Sequence, residues 1–304
     1  LQKSKINFLK AGMDSKKTGL LELHFAVLLF GGTALFSKLI PLSALDITLL
    51  RCVVAASVLA LIVKISKQSL SLNASKDYFI AIGLGILVSL HWVTYFASMQ
   101  LSSVAIGMIA FFTYPVMTVL VEPIVTKTKL KLADVISGVL VLIGVSLLIP
   151  EASLGNDVTL GIAIGILSAV LFTARNLLHK RYFSAYSGQQ AMFYQSSVAV
   201  VFLAPWMSVE LNTIEQNVWW LIILLGVVFT AAPHALFTSA LRLLSAKTVG
   251  LVSCLQPFYG AMLAWLILNE DLALQTVIGG TLVVATALFE TQQSHRSNSV
   301  KKTA

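Results

Sequence analysis

Apolar residues fall along this chain in blocks of about 20, long enough for a helix to cross the hydrocarbon core of a bilayer. Ten such blocks are predicted, near 20–38, 45–63, 78–98, 103–122, 132–149, 158–178, 188–206, 218–240, 248–268 and 275–291. The connections are short and leave no room for a separate soluble domain. Pro41 and Pro205 blur the boundaries of the spans beside them. The pattern is that of an all-α polytopic membrane protein.

The polar positions then orient the blocks. Lys3, Lys5, Lys10, Lys16 and Lys17 precede the first span. Lys64, Lys67 and Lys76 lie in the second connection, Lys127, Lys129 and Lys131 in the fourth, Lys180 and Arg181 in the sixth, and Arg242 and Lys247 in the eighth. Arg296, Lys301 and Lys302 follow the last span. The alternate connections carry Asp46, Glu151, Asp157, Glu210, Glu215, Glu270 and Asp271 instead. Positive charge marks the cytoplasmic side, so ten spans with both termini in the cytoplasm are expected, in a bacterial plasma membrane. Residues 1–19 and 292–304 are then cytoplasmic tails. Asn73-Ala74-Ser75 has the form of a glycosylation acceptor but falls on the cytoplasmic side, where it stays bare. The chain opens on Leu1, so its natural start is expected upstream, and the first span, with no cleavage pattern after it, is expected to stay.

Composition adds little that this pattern lacks. Of 304 residues, 57% are hydrophobic and 11% charged, with mean hydropathy +0.88, more apolar surface than a soluble domain can hide. The net charge of +8 would suit a nucleic acid, but its placement in the cytoplasmic connections explains it without one. Cys52 and Cys254 lie inside apolar runs and read as packing residues. There is no phosphate-binding Gly-Lys-Ser/Thr loop, no His-Glu-x-x-His and no cysteine pair at zinc spacing, so no cofactor or metal is expected. Energy for any transport would come from gradients.

The chain also repeats itself. At a spacing of 142, Phe30 falls on Phe172, Lys38 on Lys180, Pro115 on Pro257, Ile136 on Ile278 and Gly138 on Gly280. One residue further on, His91 falls on His234 and Gly107 on Gly250. Each half holds five spans, an odd number, so the second copy enters the bilayer upside down. Inverted repeats of this kind let two similar halves exchange inward-open and outward-open shapes around a central site. With these residues in place, the sequence resembles the drug/metabolite transporter superfamily, EamA type, with one repeat over 20–149 and another over 158–291. The resemblance rests on Phe30-Gly31-Gly32 through Lys38, Arg51, Pro257, Asn269-Glu270 and Gly279-Gly280. It implies ten helices around a cavity lined by spans 1, 3, 4, 6, 8 and 9, and the export or exchange of small metabolites, commonly amino acids and their relatives. The halves differ where Thr128 stands opposite Glu270 and where Arg51 has no basic counterpart near Phe193.

Candidate chemistry lies inside the spans. Pro115 and Pro257 each lack an N–H and release the carbonyl four residues earlier, on Phe111 and Ser253, which makes a fixed kink or a hinge. Trp92, Tyr95, Tyr114, Gln256 and Tyr259 need partners for their polar atoms, so they are expected at an interface or on a cavity wall that binds substrate. Asn176 on span 6 and His234 on span 8 join them. His91 and His234 are either hydrogen-bonded structural residues or groups that couple transport to protons, one in the outer half and one in the inner. Arg51 sits about six residues inside its span, where burial without a partner costs at least ~2.5 kcal/mol. It is expected to pair with Asp46 or Glu270, or to receive a substrate carboxylate. Arg175 and Glu22 are expected to snorkel. Glu122, beside Pro123, is a gate or an interface residue. Gly161 with Gly165, and Gly83 with Gly85, are expected to let helices approach closely. A secondary transporter of small amino-acid-like metabolites fits best. A passive channel needs a continuous polar lining, and an intramembrane enzyme needs a nucleophile or metal set.

Overall fold

A computed structural model describes residues 2–67, 69–126, 132–147, 156–243 and 252–303. The chain is all-α, with ten helical spans in two repeats of five, and no strand among the described residues. Span 1 is the end of a longer helix, Gln2–Thr33, which breaks at Ala34-Leu35 and resumes as Phe36–Leu39. The segment before span 1 is therefore helical rather than a loose tail, as is the end of the chain, where one helix runs Leu274–Thr303.

Short polar side chains start the helices. Ser43, Ser103, Asn156 and Ser187 are N-caps, each accepting from the backbone N–H three residues on, at 3.1, 3.1, 2.7 and 3.2 Å. The spans that follow the first three are Ala44–Ile65, the broken span 4 and Asp157–Tyr182. Outward faces stay apolar: Phe79, Leu142, Val201 and Trp265 are each more than half exposed, and only lipid could cover such surface around a whole bundle.

The helices pack in exchanged pairs. Span 1 lies against spans 8 and 9, and its counterpart span 6 lies against spans 3 and 4. Span 2 meets span 7, and span 5 meets span 10. These contacts between the halves come in mirrored sets, as an axis relating two inverted copies requires.

Glycines set the closest approaches. A Cβ on Gly161 would sit 2.9 Å from the Ser98 carbonyl oxygen, and one on Gly165 2.8 Å from the Ala110 Cβ. The approach expected of that pair is present, between spans 6, 3 and 4. Gly31 meets backbone directly: its Cβ would lie 3.0 Å from Gly260 N and 3.1 Å from the Gln256 carbonyl oxygen. Gly83 has nothing within 4 Å and takes no part, because it falls on the outward face of span 3.

At the end of the bundle bearing the acidic connections, polar side chains brace the first half and tie it to the second. Lys38 Nζ donates to the carbonyls of Gln100 and Ser102 at 3.2 and 3.1 Å, at the C-terminal end of span 3. The Glu270 carboxylate accepts the Val104 N–H, 3.1 Å from each oxygen, at the N-terminal end of span 4. Both charges match the helix end they meet. Asp46, almost wholly buried, accepts from Ser208 N at 3.0 Å and from the hydroxyls of Ser208 and Ser43 at 2.7 Å. Neither acid pairs with Arg51. Asp46 is taken by the capping turn and by Ser208, and Glu270 by the backbone of span 4.

Candidate functional site

Between the repeats lies a cavity of about 410 Å³. Three broken helices shape it, and each break has a proline behind it. Span 4 stops at Phe111 and restarts as Tyr114–Thr126, with Pro115 in the first turn of the new helix, where a missing N–H costs nothing. Span 9 restarts in the same way as Gln256–Leu268, with Pro257 in its first turn. The prolines thus begin half-helices rather than bend continuous ones. Phe111 and Ser253, four residues earlier in each case, both line the cavity.

Span 8 breaks differently. Between Gln216–Gly226 and Ala232–Leu243 it widens into a π-turn over Val227–Ala231. Pro233 explains it: without an N–H it cannot bond the Phe229 carbonyl. That carbonyl instead accepts the Thr33 hydroxyl of span 1 at 2.8 Å. The Thr230 hydroxyl donates back to the Leu225 carbonyl at 2.8 Å. The wider turn carries Phe229, Thr230 and His234 onto the cavity wall. Pro233 was visible in the sequence as a proline inside an apolar block; the hydroxyl that answers it, on a distant span, was not.

Most of the expected site residues meet here. Trp92, Tyr95, Tyr114, Asn176, His234 and Gln256 line the cavity, together with Arg51 and His91. Tyr259 does not line it; its hydroxyl lies 3.2 Å from His24 Nδ1, and its ring packs beside Leu23 and Val27. It sits three residues after Gln256, a spacing that places neighbours on one helix side, but span 1 covers it. The Glu122 side chain lies outside the described residues. His91 and His234 share one cavity rather than serving opposite halves.

The two histidines are held alike. Ser168 donates its hydroxyl to the His91 carbonyl at 3.0 Å, so the 2.8 Å contact between His91 Nδ1 and Ser168 Oγ has the imidazole as donor. His234 Nδ1 lies 2.6 Å from the Thr230 carbonyl oxygen, which can only accept. Both rings therefore carry a proton on Nδ1. Their aromatic neighbours are exchanged between repeats: Phe172 packs 4.8 Å from His91, and Phe30 lies edge-on to His234 at 5.0 Å. Two pairs of residues matched by the repeat thus face each other across it.

Two arginines complete the wall. Arg175 does not snorkel. Its Nε donates to Gln195 Oε1 at 2.7 Å and its Nη1 to Asn176 Oδ1 at 2.9 Å, while Nη2 lies 3.4 Å from the Met192 sulfur. Gln195 and Met192 reach it from span 7, a contact that sequence spacing does not show. Arg51 is 2% exposed, with its guanidinium carbon 4.3 Å from the Trp92 ring centroid and 4.9 Å from that of Phe96. Its Nε and Nη2 have no hydrogen-bond partner.

Known proteins match most of this chain. The model of the EamA-like transporter family matches twice, over residues 17–149 and 159–291. An uncharacterised transporter of Bacillus subtilis, YxxF, is 25% identical over 247 residues, 80% of this chain and 79% of its own. One of Archaeoglobus fulgidus is 24% identical over 208 residues, 68% of this chain and 74% of its own. A solved crystal structure superimposes with a TM-score of 0.62 at 17% identity, covering 92% of this chain and 98% of the other, which speaks to the fold.

Proposed function

Because the chain belongs to the EamA-like transporter family, we propose that it is a secondary transporter working by alternating access, and that the cavity between its repeats binds small polar metabolites, amino-acid-like compounds foremost, for export. Both termini lie in the cytoplasm of a bacterial cell. The observation that carries this reading is the reach of the cavity. Its lining runs from mid-span residues such as Tyr95 and Phe172 to Gly188, the first residue of span 7, and His179, both at the basic end of the bundle. No residue of the acidic end lines it among those described, and there Glu270 and Asp46 hold the halves together. This is the geometry of an inward-facing state, ready to load from the cytoplasm. Pro115, Pro233 and Pro257 give the half-helices whose rearrangement would reverse it. Trp92, Tyr95, Tyr114, Asn176 and Gln256 contact the substrate, and His91 and His234 are the residues that would couple its movement to protons.

Thermal stabilisation of the purified protein by a metabolite panel identifies ligands. Proteoliposomes then test transport with the hits: saturable uptake accelerated by unlabelled substrate inside the vesicle is expected. Flux that never saturates and shows no counterflow would replace the transporter by a passive channel. Unchanged pH dependence in both His91→Gln and His234→Gln would remove proton coupling and leave the rest.

A further inference from the structure

We propose that the substrate enters this cavity as an organic anion, with a carboxylate that docks on Arg51 and no compensating ammonium group. The proposal rests on the cavity being the substrate site of the transporter proposed above, and within it sets acids without an ammonium group in place of zwitterionic amino acids. The charge inventory of the wall is one-sided. Arg51 and Arg175 line it with three histidines, and no Asp or Glu lines it among the described residues. An amino acid in its zwitterionic form would bring an ammonium with no carboxylate to meet it, beside two guanidinium groups.

The arginines are not equivalent. Arg175 is committed to Gln195 and Asn176, so it supplies field rather than a vacant fork. Arg51 keeps Nε and Nη2 unbonded, and these two atoms share one edge of the planar group, the edge whose two N–H donors match the two oxygens of a carboxylate. A buried charge in this condition is expensive unless something arrives to pair it, and the Trp92 and Phe96 rings offset the cost only in part. The acids that could have paired it within the chain, Asp46 and Glu270, are bound elsewhere. Arg51 lines the cavity, and because its Nε and Nη2 are buried the guanidinium must turn to present that two-donor edge to an entering carboxylate. One side of the remaining wall, where Tyr114 is stacked on Phe111 and edge-on to Phe172, is aromatic and suited to the uncharged body of the same molecule.

Four probes of one shape and different charge test this on the full-length purified protein: phenylacetate, phenylacetamide, phenylalanine and phenethylamine. Binding is read by thermal unfolding and by calorimetry. Phenylacetate is expected to bind tightest and phenethylamine weakest, and Arg51→Gln is expected to weaken phenylacetate by about thirtyfold or more, with Arg51→Lys intermediate. Phenylalanine or phenethylamine binding as tightly as phenylacetate overturns the proposal. So does phenylacetate that fails to bind the native protein, or that binds Arg51→Gln as well as it. Should Arg51→Gln not fold, the ranking of the four probes on the native protein still decides. Phenylacetate that binds with this ranking but shows no counterflow in proteoliposomes sinks the transport reading and leaves the charge assignment standing.

Discussion

Gly31 and Gly260 set the distance between spans 1 and 9, because each stands where the other's backbone passes. Gly31→Leu is expected to lower stability by about 1–3 kcal/mol or more through overpacking, read as a fall in the melting temperature in detergent, whereas Gly83→Leu, facing open space, should be close to neutral. Equal effects at the two positions would contradict the helix approach described. The same contrast applies to the polar residues of span 9. Tyr259→Phe removes a hydroxyl that contacts His24 and is expected to leave ligand affinity unchanged, while Gln256→Ala, on the cavity wall, should weaken it. Calorimetry on the two variants separates them. At this scale the sequence marks which side chains are out of place in lipid, since tryptophan, tyrosine, histidine and arginine inside an apolar block all need partners. It does not show which span supplies the partner. Arg175 therefore reads as a snorkelling residue until Gln195 is seen beside it, and Tyr259 reads as a cavity residue until span 1 is seen to cover it.

Broken helices share the site with whole ones, and the chain places a proline at each of the breaks in spans 4, 8 and 9. Span 8 allows the cause to be measured. In the native chain the Phe229 carbonyl depends on Thr33, because Pro233 offers no N–H. Thr33→Val should leave that carbonyl unpaired in the membrane interior and cost about 1–3 kcal/mol. Pro233→Ala restores a donor at the ordinary helical position. In that background Thr33→Val should cost little, and the two changes together should depart from additivity by a similar amount. Additive effects in thermal or denaturant melts would mean that the π-turn has another origin. The span pattern was legible because the bilayer imposes one length and one backbone solution on every crossing. The breaks were legible at Pro115 and Pro257 through their repetition. Pro233 has no such echo, and its effect depends on a hydroxyl 200 residues away in the chain.

For the whole molecule, inversion of one half relative to the other predicts where each connection emerges. With Cys52 and Cys254 replaced by Ala, Asn212→Cys is expected to react with an impermeant maleimide on intact cells and Lys67→Cys only after lysis; the reverse result, or both on one side, would break the inverted-repeat topology. The same inversion bears on how the acidic end stays shut. Lys38 and Glu270 come from opposite halves and grip the two sides of the joint at Ser102-Ser103, one at carbonyls and the other at an N–H. The repeat supplies Lys38 with a counterpart in Lys180, but Glu270 stands opposite Thr128, which lies outside the described residues, so the two ends of the bundle are not locked by the same residues. A carboxylate at a helix N-terminus contributes about 0.3–1 kcal/mol, more when partly buried. Glu270→Gln removes the charge while keeping the shape, and a loss near 1 kcal/mol would raise the outward-open population about fivefold. A cysteine at Phe30, on the cavity wall, reports that change: its labelling from outside should quicken by about that factor in Glu270→Gln, and its labelling from inside should slow. If Glu270→Gln quickens labelling from both sides alike, the carboxylate stabilises the fold as a whole, and the outer joint must be held by the contact between Asp46 and Ser208.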